Sequence, residues 1–200
     1  MLELLTNERK SLLLSFSRIK KLAFLVLLYE RMVPELRSYL RSSGQDFTLI
    51  EAARKKFWQL LSDDGTSVSW DELREKLLDL LPDSEDDGSL AAQFARNAGL
   101  VAADIAGLAE DGQNSHVVEA VGYAIESIDA KVSDEMRVFT HTRAIEQAIL
   151  EHPLMRREGA QEREDVAWLH QLPEAPWPGD IVETLRDRAR AQEPLLDTIR

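Results

Sequence analysis

Apolar residues recur at spacings of three and four along most of the chain, the period that is typical of amphipathic helices. One clear example is formed by Leu49, Ala53, Phe57 and Leu60. No run alternates apolar and polar residues with β-branched enrichment, so no strand is predicted. The pattern predicts an all-α fold, a single-domain bundle of seven or eight helices spanning residues 1–200. Residues 153–200 are expected to form a more peripheral helical region of that domain.

One long helix, predicted over about 18–42, is apolar at every position from Leu22 to Tyr29. An apolar surface on all sides marks a helix that is surrounded by others. Pro34 lies further along the same helix. Because proline has no N–H group, the carbonyl of Glu30 loses its helical partner and the helix is expected to bend there. The sequence therefore predicts a central helix with a proline kink.

Two helices rich in alanine and glycine are predicted over about 89–110 and 115–135. Gly99 and Gly107 lie inside the first of them, although each costs about 1 kcal/mol relative to alanine. The close approach of a neighbouring backbone would offset that cost. The short turn between the two helices predicts a tightly packed antiparallel hairpin.

The charges of the long helix allow two interpretations. In the first, Glu30 and Arg31 mark where the helix reaches solvent, Arg31 pairs with Glu35 on the surface, and Pro34 shapes the fold. In the second, Glu30, Arg31 and Pro34 form a polar pocket, since buried charged groups are often functional. Farther along, the dense mixed charges of residues 156–165 predict a solvated helix face.

Charge is unevenly distributed along this chain, whose formal net charge is −12. Residues 61–138 carry 5 basic and 18 acidic side chains, whereas residues 1–60 carry 11 basic and 6 acidic ones. Such an acidic middle third repels polyanions, which argues against nonspecific nucleic-acid binding, and it would attract a basic protein partner or a cation. The preferred explanation of the acidity is nevertheless that it keeps the protein soluble. The absence of cysteine excludes thiol catalysis and cysteine-ligated metal sites. No signal peptide or membrane-spanning run is predicted, and we expect a cytoplasmic protein.

The segment "ERMVP", from Glu30 to Pro34, follows the apolar helix and is similar to the signature segment of the bacterial YjaG family, a domain of unknown function. The similarity extends through "FWQLL", the "LPDSEDD" loop and the alanine-rich helix, and more weakly through "HPLMRREG". The sequence differs at Tyr29, where a cysteine is expected, and at Asn97, where a carboxylate is expected. The resemblance implies an all-helical fold and supplies no known activity.

Carboxylates spaced for magnesium occur twice, in Glu72 with Glu75 and in Glu126 with Asp129. Residues three apart share a helix face, so each pair could bind a hard cation, as in helical nucleotide pyrophosphohydrolases. The acidic loop at 83–87 lacks the ligand order of an EF-hand. His116 and Glu119 share a helix start, which we interpret as structural. The sequence therefore assigns no catalytic residue, metal ligand or cofactor.

Together these patterns predict a non-catalytic binding or regulatory protein with a protein partner and no contact with nucleic acid or membrane. An immunity-type inhibitor of a basic toxin or nuclease is one alternative, and a magnesium-dependent nucleotide hydrolase is another. A homodimer is compatible with the sequence.

Overall fold

The structure is a computed structural model that describes residues 6–62, 68–83, 87–138 and 142–196. These residues form α-helices and no strands, which confirms the predicted fold class, in a single compact domain. The described part contains nine helices, close to the seven or eight predicted. They are α1 (Asn7–Ser15), α2 (Arg18–Ser42), α3 (Thr48–Leu61), α4 (Trp70–Asp79), α5 (Leu90–Asp111), α6 (Asn114–Met136), α7 (Arg143–Glu151), α8 (Pro153–Gln171) and α9 (Gly179–Ala191).

Helix α2 lies at the centre of the bundle. It packs most extensively against α5 and also contacts α3, α6, α8 and α9. Every residue from Leu22 to Tyr29 is at most 1% exposed, so the prediction of a helix enclosed on all sides is confirmed. The helix continues through Pro34 to Ser42. A bend at Pro34 stays a prediction.

Helices α5 and α6 form the predicted antiparallel hairpin. Gly112 ends α5 with a left-handed φ of 73°, a conformation that glycine adopts without strain. Near the far end of the hairpin, buried Asn97 donates to the carbonyl of Tyr123 and to the hydroxyl of Ser127. The amide of Asn97 thus holds the two helices together.

The glycines of α5 do make room for close neighbours, but the nearest atoms belong to side chains rather than to a backbone. A Cβ atom at Gly99 would collide with Cδ2 of Leu81, and one at Gly107 would collide with Cε1 of His116. Small residues in α5 therefore admit a leucine that follows α4 and a histidine from α6.

The helix starts differ in how they are capped. The hydroxyl of Ser69 accepts from the backbone N–H of Glu72 and so caps α4. Ser17 occupies the cap position of α2 without a side-chain cap hydrogen bond.

The last third of the described chain contacts the central helix directly. Both α8 and α9 pack on α2, and the backbone N–H of Leu195 donates to the carbonyl of Arg31 at 2.8 Å. A more peripheral position for residues 153–200 as a whole stays a prediction. Within the described ranges, no helix is both long and apolar enough to cross a membrane.

Candidate functional site

The two neighbouring charges of the "ERMVP" segment face different elements. Glu30 points toward α3, where its carboxylate accepts from Arg54 at 2.6 and 2.7 Å and from the indole N–H of Trp58 at 2.7 Å. Arg31 points toward α8 and the segment after α9. Glu30 and Arg31 therefore lie in two separate polar environments, and a pocket that also includes Pro34 stays a prediction.

A groove of about 520 Å³ lies outside Glu30, between α2, α3 and α9. The guanidinium of Arg186 stands over the ring of Trp58, 5.6 Å from its centroid. Several cations of the groove already have acidic partners: Arg54 binds Glu30, and Arg186 binds Glu183. The pair of Arg54 and Glu30 thus fastens α3 to the central helix, whereas the pair of Arg186 and Glu183 lies within α9.

Arg31 is buried and forms a charged network, which corrects the expectation of a surface pair with Glu35. Its Nη2 and Nε donate to the two oxygens of Glu158 at 2.5 and 3.1 Å. Its Nη1 donates to Asp165 at 3.0 Å and to Gln192 at 2.9 Å. Burial opposes the charge of Arg31, but Glu158 and Asp165 outweigh burial and raise its pKa. Glu35 is buried as well.

Helix α8 turns three carboxylates into the interior, although its dense charges predicted a solvated face. Glu158, Glu162 and Asp165 lie at positions i, i+4 and i+7 and are at most 3% exposed. Asp165 also accepts from Nε of Arg188 at 2.8 Å. The solvated interpretation of this stretch is wrong for these three residues, because their spacing places them on the face that meets α2.

Glu162 differs from its neighbours because neither carboxylate oxygen has a hydrogen-bond partner among the described residues. Burial, and next the negative charge of Glu158, raise the pKa of Glu162 well above its usual value, while Arg31 opposes them. A neutral, protonated Glu162 is the form that such surroundings favour.

A second polar cluster joins the two helices of the hairpin. Nδ1 of His116 lies 3.0 Å from Oδ1 of Asp104, and Nε2 lies 3.3 Å from Oδ2 of Asp111. Both His116 and Asp104 are buried. Gly107 makes this arrangement possible, because any larger residue there would collide with the imidazole. Burial raises the pKa of Asp104 to about 6, although the hydrogen bond from His116 acts in the opposite direction.

Glu119 completes this cluster on its exposed side. One ligand atom from each of Asp104, His116 and Glu119 lies within 4.8 Å of the other two. Among the described residues, these three side chains form the one group of three potential metal ligands that lie close enough together to hold a metal ion. Sequence reasoning noted His116 and Glu119 but missed Asp104. The sequence signal for this cluster is the His-x-x-Glu spacing of His116 and Glu119 on α6. The third potential ligand, Asp104, lies on α5, the other helix of the hairpin.

The carboxylate pairs predicted for magnesium lie apart from that cluster. Glu72 and Glu75 are exposed on α4, and Glu72 binds Lys76 at 2.6 Å. Glu126 is exposed on α6, while Asp129 accepts from the hydroxyl of Ser133 at 3.1 Å. Three of these four carboxylates are therefore exposed on their helices, and Asp129 is half-buried. Most of the acidic loop, residues 84–86, lies outside the described residues.

Comparisons with known proteins agree with this architecture. The family model described as "Protein of unknown function (DUF416)" matches residues 10–194. The chain belongs to the DUF416 family. A solved DUF416 family protein from Shewanella baltica OS155 is 17% identical, with a TM-score of 0.81 over 90% of this chain and 92% of that one. At this identity the likeness establishes the shared fold. A search of curated proteins gave no match.

Proposed function

We propose that this DUF416 protein acts by binding a basic protein partner rather than by catalysis. The supporting observation is the concentration of exposed carboxylates on α4 and α6, two helices that both pack on α5. We call this surface the acidic face. Its exposed acids on these helices are Asp71, Glu72, Glu75, Asp79, Glu119, Glu126, Asp134 and Glu135.

Few cations oppose these carboxylates. Lys76 is bonded to Glu72 and Lys131 to Glu135, each four residues along the same helix. Arg74 is half-buried and lies close enough to Asp104 and Asp111 to oppose the rise in the pKa of Asp104 and to help lower that of Asp111. The remaining acids leave a negative potential that favours a positively charged partner.

Exposed apolar side chains lie on the same helices. Leu78 on α4 and Val118 on α6 are 38% and 40% exposed. A binding surface needs apolar contact as well as charge, because charge mainly directs the encounter and selects the partner. The acidic face supplies both.

An inhibitor of a basic toxin or nuclease is a narrower form of this proposal, since such enzymes carry positive surfaces for their anionic substrates. The hydrolase alternative gains no support from Glu72, Glu75 and Glu126, which are accounted for as parts of the acidic face. Asp129 is half-buried and accepts from the hydroxyl of Ser133. We place the binding role in the cytoplasm, as the sequence led us to expect.

The proposal is tested with a partner isolated from extract of the source organism, then purified and titrated against the full chain. Binding is expected to weaken at least about tenfold between 50 and 300 mM salt, because added ions screen exposed charges. A variant of the acidic face with four Glu→Gln changes, at Glu72, Glu75, Glu126 and Glu135, should bind at least about tenfold more weakly.

The matched control removes the same number of exposed acids elsewhere, through Glu→Gln changes at Glu146, Glu151, Glu164 and Glu193. It is expected to retain the affinity of the wild type to within about twofold. Equal losses in both variants, or a partner that binds equally well at both salt concentrations, would contradict the proposal.

A further inference from the structure

The cluster of Asp104, His116 and Glu119 lies between α5 and α6 and combines an imidazole with two carboxylates. Asp104 is 4% exposed, and its Oδ2 has no hydrogen-bond partner among the described residues. Leaving a buried carboxylate oxygen without a partner is costly, because burial removes the water that would otherwise hydrate it. Arg74 lies near Asp104 but makes no hydrogen bond to this oxygen, so the local surroundings favour a further positively charged group there.

We propose that Asp104, His116 and Glu119 bind a divalent transition-metal ion, for which Zn²⁺ is the best fit. Imidazole is a ligand that suits zinc and its neighbours, whereas magnesium prefers oxygen ligands and retains its water. Three protein ligands with one open side are typical of zinc sites that also hold water or another group. Glu119 is exposed and leaves that side accessible.

The distance between the two buried ligands suits this assignment. Nδ1 of His116 and Oδ1 of Asp104 are 3.0 Å apart. Two ligands, each about 2.1 Å from a zinc ion, are separated by roughly 3.0–3.5 Å at the angles found in zinc sites. Binding of the ion replaces the hydrogen bond between these two atoms.

Asp111 gives the imidazole a defined orientation. Its carboxylate lies 3.3 Å from Nε2 of His116, on the ring edge away from Asp104. Metal-binding histidines commonly donate their second ring N–H to a carboxylate, which fixes the tautomer and makes the ligand nitrogen more basic. With Nε2 carrying the proton toward Asp111, Nδ1 is free to bind the ion.

The hairpin holds the ligands in place before binding. His116 and Glu119 are three residues apart and share a face of α6, while Asp104 projects from the facing helix. Gly107 leaves the space that the imidazole fills, so the ring has a fixed seat against α5. Ligands on two packed helices are held more rigidly than ligands on loops.

Calorimetric titration of the tag-free full chain with ZnCl₂, after treatment with a chelator, tests the proposal. We expect one Zn²⁺ per chain and a rise in the midpoint of thermal unfolding, because the ion binds the folded state. Glu119→Gln should weaken Zn²⁺ binding at least about tenfold while leaving the fold intact, since Glu119 is exposed. His116→Ala should weaken it further.

Glu126→Gln is the matched control, since Glu126 is an exposed glutamate two turns farther along α6. Its Zn²⁺ affinity should stay within about twofold of the wild type, and Mg²⁺ should not compete at equal concentration. The proposal is overturned if the wild type binds no Zn²⁺, if Glu126→Gln weakens binding as much as Glu119→Gln, or if Mg²⁺ competes equally. These results are independent of whether a basic partner binds the acidic face.

Discussion

The guanidinium of Arg31 and the carboxylate of Glu158 form a two-point ion pair in the interior, with Nη2 and Nε of the arginine on the two carboxylate oxygens. Both side chains are at most 3% exposed. Two parallel charge-assisted hydrogen bonds fix the geometry as well as contributing energy. The pair therefore sets the position of α8 on the central helix.

Replacing Arg31 with methionine should destabilise the protein strongly. The change leaves Glu158 buried without its cation and removes one of the two arginines that bind Asp165. Breaking a buried ion pair from one side costs about 3–5 kcal/mol, because the remaining charge is left without compensation. Urea unfolding followed by circular dichroism measures this loss.

The control for Arg31→Met is Arg37→Met, on the same helix. Arg37 binds Glu51 where both side chains are partly exposed, so its loss should cost less than about 1 kcal/mol. Equal effects of the two substitutions would show that the Arg31 network adds no more than a surface pair.

Glu162 gives a prediction about pH. Because burial raises its pKa in the folded state, the folded protein holds this proton above the pH at which the unfolded chain releases it. The contribution of Glu162 to stability is therefore complete below about pH 4.5, the ordinary range of glutamate, and decreases as pH rises toward the folded pKa. The other charged groups that act on it are Glu158, Arg31, Asp165 and Arg163.

Glu162→Gln should consequently stabilise the protein at neutral pH, since glutamine is neutral and close in shape to protonated glutamate. The free energy of unfolding of the variant should exceed that of the wild type more at pH 8 than at pH 5. Glu164→Gln, on the same helix and exposed, should change stability by less than about 0.5 kcal/mol at both pH values. A gain that does not grow with pH would contradict the raised pKa.

Local periodicity was enough to predict the central helix and the hairpin. The apolar run from Leu22 to Tyr29 and the small residues of α5 are properties of consecutive positions, so they are visible without knowledge of any partner. The predicted bounds of α2, about 18–42, match the observed Arg18–Ser42 because a polar cap position and a glycine-containing turn delimit it.

The buried charges could not be predicted in the same way. The partners of Arg31, Glu158 and Asp165, lie 127 and 134 residues farther along the chain. Nothing in the sequence around Arg31 therefore distinguishes it from a surface arginine. The spacing of Glu158, Glu162 and Asp165 places them on one face, but whether that face meets solvent depends on how α8 packs. The role of Asp104 could not be predicted for the same reason, because its partner His116 lies on the other helix of the hairpin.

Glu30 offers a test of whether the "ERMVP" segment is structural. Its carboxylate is 8% exposed and binds both Arg54 and Trp58, so Glu30→Ala leaves a buried indole N–H and a guanidinium without their acceptor. Hydrogen bonds to charged groups contribute about 1.5–3 kcal/mol, and a loss of that size is expected. A shift in tryptophan emission should accompany it, as Trp58 loses its partner.

Glu51→Ala is the comparison for Glu30→Ala, because Glu51 also binds arginines of α2 and α3 but is more exposed. It should cost less than about 1 kcal/mol. Unchanged stability in Glu30→Ala, combined with the loss of a measured binding activity, would instead identify Glu30 as part of a functional site.

Two glycines of the hairpin should respond oppositely to alanine. Alanine is favoured over glycine in helices by about 1 kcal/mol, so an unobstructed glycine should gain stability from the change. A methyl group added at Gly122 of α6 would meet no atom within 4 Å, whereas one added at Gly107 would collide with Cε1 of His116. Gly122→Ala should therefore stabilise the protein by up to about 1 kcal/mol.

Gly107→Ala should destabilise it by about 1–3 kcal/mol, the usual cost of adding volume to a packed interior. The imidazole is held between Asp104 and Asp111 and has little freedom to withdraw. Urea unfolding of both variants under identical conditions provides the comparison. If Gly107→Ala raised the free energy of unfolding as much as Gly122→Ala, the His116 ring would have to move aside freely. The ring would then not be held in a fixed position against α5.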